Sequence, residues 1–273
     1  MILRAVRSPA FIALAISGLV VGAATCWLGS QLVKPVNHRV PLPPGFDAQT
    51  VSIPGTGHAV AGWWLDRGGT SPIVLLLHPV RADRSAMVSR AQLLLRRGFS
   101  VLLIDLQGHG ETPGEAITFG WRESADVHAA QEWLKLAAPP RRIGVIGCSL
   151  GGAAVPLGPQ PSGFDAVVLE AVYPRLADAV EDRIRIRLGP LAPVLAPLLL
   201  AQLHPRLHIS PSDLEPIRFI GQVGSPVLVV AGSRDEHTPL AESEDLFSRR
   251  THAEAALGGP RRTPSRFPLV QLR

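Results

Sequence analysis

Cysteine is scarce in this sequence: two residues in 273, Cys26 in an apolar stretch and Cys148 far along the chain. Nothing here can form a disulfide framework. There is also no cluster of His, Cys, Asp or Glu with metal-ligand spacing, no glycine-rich phosphate loop and no dinucleotide fingerprint, so neither a metal nor a cofactor is implied. No internal repeat is visible. A basic face is missing as well, despite the net charge of +5. Residues 249–273 hold six arginines against one acid, Glu254, and the rest of the chain is balanced at twenty-one basic and twenty-one acidic residues. The basicity belongs to the tail, and with no basic patch interleaved with aromatics elsewhere, nucleic acid is not an expected partner.

Charge is absent altogether from Pro9 to Val33, which contains FIALAISGLVVGAATCWLGSQLV. That run is long enough to cross a bilayer once as a helix, so residues 1–34 read as an N-terminal membrane anchor. A cleaved signal peptide is the alternative, but its apolar region is usually shorter, and Ala23-Ala24-Thr25-Cys26 is a poor cleavage or lipobox match. Arg4 and Arg7 favour a cytoplasmic N-terminus and hence an extracytoplasmic domain, while Lys34 and Arg39 weaken the bias and leave the orientation open. A proline-rich spacer follows over 35–45, expected to be extended and stiff rather than folded.

Beyond it, strands alternate with helices. Thr50–Ile53 and His58–Leu65 read as a hairpin around Pro54-Gly55-Thr56-Gly57. Ile73–Leu77, Phe99–Ile104, Arg142–Ile146, Ala166–Leu169 and Pro226–Val230 read as strands buried on both faces. Helices fit residues 85–97 and 122–137, one closed by Arg96-Arg97-Gly98 and the other by Pro139-Pro140. The alternation implies an α/β fold with a mainly parallel sheet covered on both faces. Between Tyr173 and Gly224 it breaks down into an apolar insertion with prolines at 190, 193 and 197, which argue against a second membrane span. A lid over the catalytic face is the first reading of that insertion, and a helix dipping into the bilayer interface is the second.

The most specific motif is Gly147-Cys148-Ser149-Leu150-Gly151, between a buried strand and a small-residue helix. A serine on a sharp strand-to-helix bend needs glycine neighbours, because a Cβ there would strike backbone. The bend lifts the hydroxyl above the sheet edge at a helix N-terminus, where the Leu150 N–H can stabilise an oxyanion. The plain alternative is a glycine-rich turn with a bystander serine. Asp235 follows an apolar strand, where open α/β sheets place their sites, although an Asx turn ahead of Thr238-Pro239 would use the same residue.

Together these residues resemble the α/β-hydrolase superfamily from about Thr50 to Phe247, and most of all its membrane-anchored bacterial serine hydrolases of the dienelactone-hydrolase and serine-aminopeptidase-like group. Leu75-Leu76-Leu77-His78 stands where that family has its oxyanion loop, and Asp105-Leu106-Gln107-Gly108-His109-Gly110 matches its D-x-x-G-H-G turn. Gly232-Ser233-Arg234-Asp235-Glu236-His237-Thr238-Pro239 matches its acid loop. The resemblance implies acyl transfer to Ser149, with Asp235 orienting a histidine base and Glu170 as a fallback acid. His78 and His109 are expected to organise loops rather than carry protons. Pro79 replaces the family's glycine and has no N–H, which leaves Val80 as the loop's oxyanion donor beside Leu150.

The chain order of this fold calls for a histidine after the acid and one more strand. Only His237 and His252 follow Asp235. His237 shares the acid's loop, and His252 falls where a helix should be ending. From Ala253 onward no buried strand is legible, so the last strand and closing helix are expected to be missing and the C-terminus (251–273) atypical, through truncation or a shifted frame. The hydrolase domain is therefore read as 46–250, with 173–224 as its lid. The expected function is hydrolysis of a carboxylic ester or thioester of an apolar acyl group, through an acyl-enzyme on Ser149 with His252 as the base. The alternative is an inactive scaffold lacking the triad histidine.

Overall fold

The computed structural model describes residues 9–138, 140–158, 163–256 and 270–272. Helix α1 (Pro9–Val33) comes first. A two-residue strand β1 (Val36–Asn37) leads into the antiparallel pair β2 (Gln49–Pro54) and β3 (Ala59–Leu65). Then come β4 (Ile73–Leu77), α2 (Val88–Arg96), β5 (Ser100–Ile104), the short β6 (His109–Gly110) and α3 (Glu123–Ala137). The elbow strand β7 (Ile143–Cys148) runs into the short helix α4 (Leu150–Ala153), followed by β8 (Ala166–Glu170). Helices α5 (Leu176–Leu188), α6 (Ala192–Leu200), α7 (Leu203–Leu207) and α8 (Pro216–Phe219) occupy the insertion. The chain returns to the sheet with β9 (Val227–Gly232), α9 (Leu240–Ala256) and β10 (Val270–Leu272).

Eight strands form one sheet in the order β10-β9-β8-β7-β4-β5-β3-β2. All neighbours are parallel except β2 with β3 and β3 with β5. The continuous apolar runs explain the centre: every residue of β4 and β5 is buried. Such strands need helices on both faces, and one apolar cluster forms on each side of them. Leu75, Leu77, Leu102 and Ile104 face Val127, Ala130 and Leu134 of α3, while Leu76, Val101 and Leu103 face Met87 and Ala91. The helix expected over 85–97 begins as a 3-10 turn at Arg84–Met87, because the Asp83 carboxylate caps the Ser85 N–H at 2.7 Å.

Two sequence expectations change. The spacer is extended, but it is docked rather than free: β1 pairs in parallel with β6, and the Val36 N–H donates to the Gly108 carbonyl at 2.7 Å. The Asn37 amide donates to the Thr112 carbonyl at 2.6 Å, and Val40 is buried. A strand after Ala253, expected to be missing, exists as the three-residue β10 beside Val230–Gly232 of β9. Three residues are too short a run to carry a periodic signal.

Helix α1 is apolar on all sides and largely exposed, and it is long and apolar enough to cross a membrane by length and composition. Residues 176–207 pass the same test, but the chain breaks there. Gly189 adopts φ +55°, and α5 turns back so that Ile184 packs against Ala192, Ala196 and Leu199 of α6.

Candidate active site

Ser149 is held at φ 50°, ψ −113°, a conformation foreign to residues with a Cβ. Its neighbours show what forces it there. A Cβ on Gly147 would lie 2.5 Å from the Gly152 Cα, and one on Gly151 would lie 2.6 Å from the Leu77 Cβ. On Gly152 it would meet Val172 Cγ2 at 2.3 Å and the Gly147 carbonyl at 2.7 Å. The glycines are thus required by close approach, since the helix start presses against the strand it left. The Ser149 N–H donates to the Glu170 carbonyl at 2.9 Å, which ties the elbow to β8. Leu150 is the first residue of α4, so its N–H has no acceptor within the helix and stays available at the carboxyl edge of the sheet.

The loop after β4, expected to supply an oxyanion donor, is organised by His78. Its Nδ1 lies 2.8 Å from the Pro79 carbonyl and its Nε2 accepts the Leu106 N–H at 3.0 Å. The ring is fully buried, and burial pushes its pKa down to about 4. It is therefore neutral, with both nitrogens occupied. His109 packs edge-on against it at 5.0 Å between centroids, and burial with His78 alongside lowers it also to about 4. Both rings hold loops, as expected. Pro79 is followed by Val80, half-buried, and then by Arg81 at φ 60°.

Beneath this loop lies a buried ionic hub. Asp105 accepts the Arg84 N–H at 2.7 Å and the Glu111 N–H at 2.8 Å, and it pairs with the Arg84 guanidinium, which also holds Glu111. Gly110, at φ +48°, leaves the room that the Asp105 carboxylate fills. Arg84 in turn lies over the Trp63 ring at 4.6 Å.

Asp235 sits half-buried in the loop after β9. One carboxylate oxygen, Oδ1, accepts the N–H groups of His237 at 2.8 Å and Thr238 at 3.0 Å. The Asx turn is thus present, and it leaves Oδ2 for another partner. Asp235 also stands close enough to Cys148 for its charge, after burial and Glu170, to help raise the thiol's pKa. Acid loop and elbow are neighbours. Glu170 lies opposite Cys148, but its carboxylate is taken by Arg90, at 2.7 Å from Nε and 2.5 Å from Nη2. Sequence reasoning missed Arg90, which lies on α2 and meets Glu170 only through the fold.

His252, expected as the base, falls on α9, and its side chain lies outside the described residues. Helix α9 starts at Leu240, at the carboxyl edge, and must run back along the sheet for β10 to pair in parallel with β9. Twelve residues of helix carry position 252 about 18 Å from that start. His237 is exposed on the acid's own loop.

The end of α1 is built into the same face. Arg81 Nη1 donates to the Gln31 carbonyl at 3.1 Å, and the Ile117 N–H donates to the Val33 carbonyl at 2.8 Å. Gly29, Leu32 and Val33 line a cavity of about 30 Å³ with Phe119, Leu176 and Leu199. That is space for a water or two rather than an acyl chain. Among the described residues no group of acids, histidines or cysteines suits a metal.

Comparison with known proteins agrees with this geometry. The family model for X-Pro dipeptidyl-peptidase (S15 family) matches residues 62–182. The chain is 35% identical over 212 residues to the uncharacterized protein Rv2307c of Mycobacterium tuberculosis (strain ATCC 25618 / H37Rv), covering 76% of this chain and 68% of that one. Among solved structures it is similar to the Pyrococcus furiosus esterase Pf2001, with TM-score 0.65 and 23% identity over 81% of this chain and 85% of that one. It is also similar to the Pyrococcus horikoshii acylaminoacyl peptidase, with TM-score 0.56 and 15% identity over 76% of this chain and 35% of that one. At such identities the solved structures speak for the fold. With its elbow, acid loop and sheet order, the chain belongs to the α/β-hydrolase superfamily of serine hydrolases, in one family with Rv2307c.

Proposed function

We propose that this protein is a membrane-anchored serine hydrolase that cleaves carboxylic esters or thioesters of apolar acyl groups. In this reading Ser149 Oγ adds to the substrate carbonyl, the Val80 and Leu150 N–H groups receive the oxyanion, and the alcohol or thiol leaves. Water then releases the acyl group, and Asp235 is the acid that orients the base. The observation that carries it is the backbone of Ser149, held at positive φ by glycines that admit no Cβ. Residues 9–33 form the single-pass anchor and the 173–224 insertion is the lid, with the catalytic domain on the extracytoplasmic side.

One observation favours a second reading, an inactive scaffold: among the described residues no histidine meets Ser149 and Asp235. A fluorophosphonate probe separates the two. Labelling that disappears on Ser149→Ala supports the hydrolase, and a folded but inert chain supports the scaffold. Turnover of an X-Pro peptide by a labelled chain, with no ester hydrolysis, would replace the ester substrate with a peptide one. Carbonate extraction of membranes tests the anchor, since a released chain would reject it.

A further inference from the structure

From Leu188 to Ala201 the chain carries no polar side chain. A helix apolar all round belongs inside a protein or inside lipid, yet α6 is buried on one side only. Ala192, Ala196 and Leu199 pack against α5 and against Leu32 of α1. On the other side Leu191, Val194 and Leu198 are 52%, 62% and 42% exposed, with Leu188 at 50% just ahead of them. Leu191, Val194 and Leu198, spaced three and four apart, make one apolar stripe along α6 and the turn that leads into it.

What covers the stripe is indicated by its neighbour. The segment after α6 is fastened to α1 near that helix's end: the Gln202 amide donates to the Thr25 carbonyl at 3.1 Å, and Arg206 donates to the Cys26 carbonyl at 2.7 Å. Gly29 lies so close to Gln202 that a Cβ there would sit 2.3 Å from its Oε1. The fastening falls roughly 6–12 Å from the end of α1 along its axis, in the last third of a helix about 37 Å long, on the side where it leaves a bilayer core of about 30 Å. Trp27, exposed on α1 between the fastened positions, is the residue type that gathers at that level. Arg187, exposed at the end of α5 just ahead of the stripe, complements anionic headgroups, while Arg185 beside it is paired with Glu181 and Asp182.

We propose that the Leu191–Leu198 stripe along α6 is seated in the lipid interface beside the anchor, so that the hydrolase domain lies with its lid against the bilayer rather than standing off it. This rests on the reading of α1 as a membrane span. The seating adds apolar contact area to the anchor and fixes the orientation of the catalytic face relative to the membrane.

The test uses the full chain with Cys26→Ser and Cys148→Ala, reconstituted in vesicles of phosphatidylcholine and phosphatidylglycerol. An environment-sensitive dye is attached in turn at Leu191→Cys, Val194→Cys, Leu19→Cys on α1, and Leu136→Cys at the far end of α3. Spin-labelled lipids then quench the dye according to its depth. Dyes at 191 and 194 are expected to be quenched by a headgroup-proximal label several-fold more than the dye at 136, and the dye at 19 by a deep label. Quenching at 19 with 191 and 194 no different from 136 overturns the proposal and leaves the anchor standing. No quenching at 19 overturns the anchor and the proposal with it. Blue-shifted dyes at 191 and 194 that lipid does not quench, but that transfer energy between labelled chains, overturn it in favour of a second copy.

Discussion

Replacing Ser149 by glycine should make the protein more stable than replacing it by alanine. Both substitutions delete the hydroxyl, so the comparison isolates the Cβ. At φ 50°, ψ −113° that Cβ is strained by about 1–3 kcal/mol, which glycine does not pay. Against this, glycine loses more freedom on folding, at a cost of roughly 0.5–1 kcal/mol. The difference is about 0–2.5 kcal/mol in favour of glycine, with about 1 as the central value. For a domain of this size 1 kcal/mol moves Tm by about 2–4 °C. Thermal unfolding of both full-length variants in the same mild detergent reads it directly. A Ser149→Gly chain that melts below the Ser149→Ala chain would refute the claim that the elbow stores backbone strain at Ser149.

Three further outcomes follow from the packing around the site. Gly152→Ala sets a Cβ against Val172 Cγ2 and the Gly147 carbonyl, so it should cost about 1–3 kcal/mol and displace the elbow, read as lost probe labelling and a lower Tm. Arg84→Met leaves Asp105 buried and facing Glu111 without the guanidinium, and should cost about 3 kcal/mol in urea unfolding. Burial and the nearby Asp182 raise Glu242 from 4.5 to about 8. The folded chain therefore keeps a proton there that the unfolded chain has lost. This contribution is full below about pH 4.5 and is lost as pH rises through about 8, and Glu242→Gln should flatten that fall in melting scans.

Much of the sheet was legible because its signals are local. Ile73–Leu77 and the strand before Ser149 are short apolar runs between turn residues, and the structure ends each within two residues of the reading. The glycines of the elbow were legible for the same reason, since the clash they avoid lies within a few residues or on the adjacent strand. What escaped was set by long-range packing. Arg90 reaches Glu170 across eighty positions, and Arg81 reaches Gln31 across fifty. The spacer looked free because proline-rich composition describes local stiffness and not where an extended segment docks. Val36 and Asn37 found the open backbone of His109 and Gly110.

The histidine is where local and global requirements part. A serine at the carboxyl edge can be activated only from that edge, and chain direction decides which residues arrive there. His78 and His109 lie below the loop, buried, and with pKa values near 4. The His252 side chain lies outside the described residues. His237 arrives at the correct edge, but its own N–H closes the turn on Asp235, two residues away, and its ring stands in solvent. The parallel pairing of β10 sets Leu272 beside Gly232, three residues ahead of Asp235. The carboxyl end of that strand is therefore the place from which an imidazole could face both Asp235 Oδ2 and Ser149.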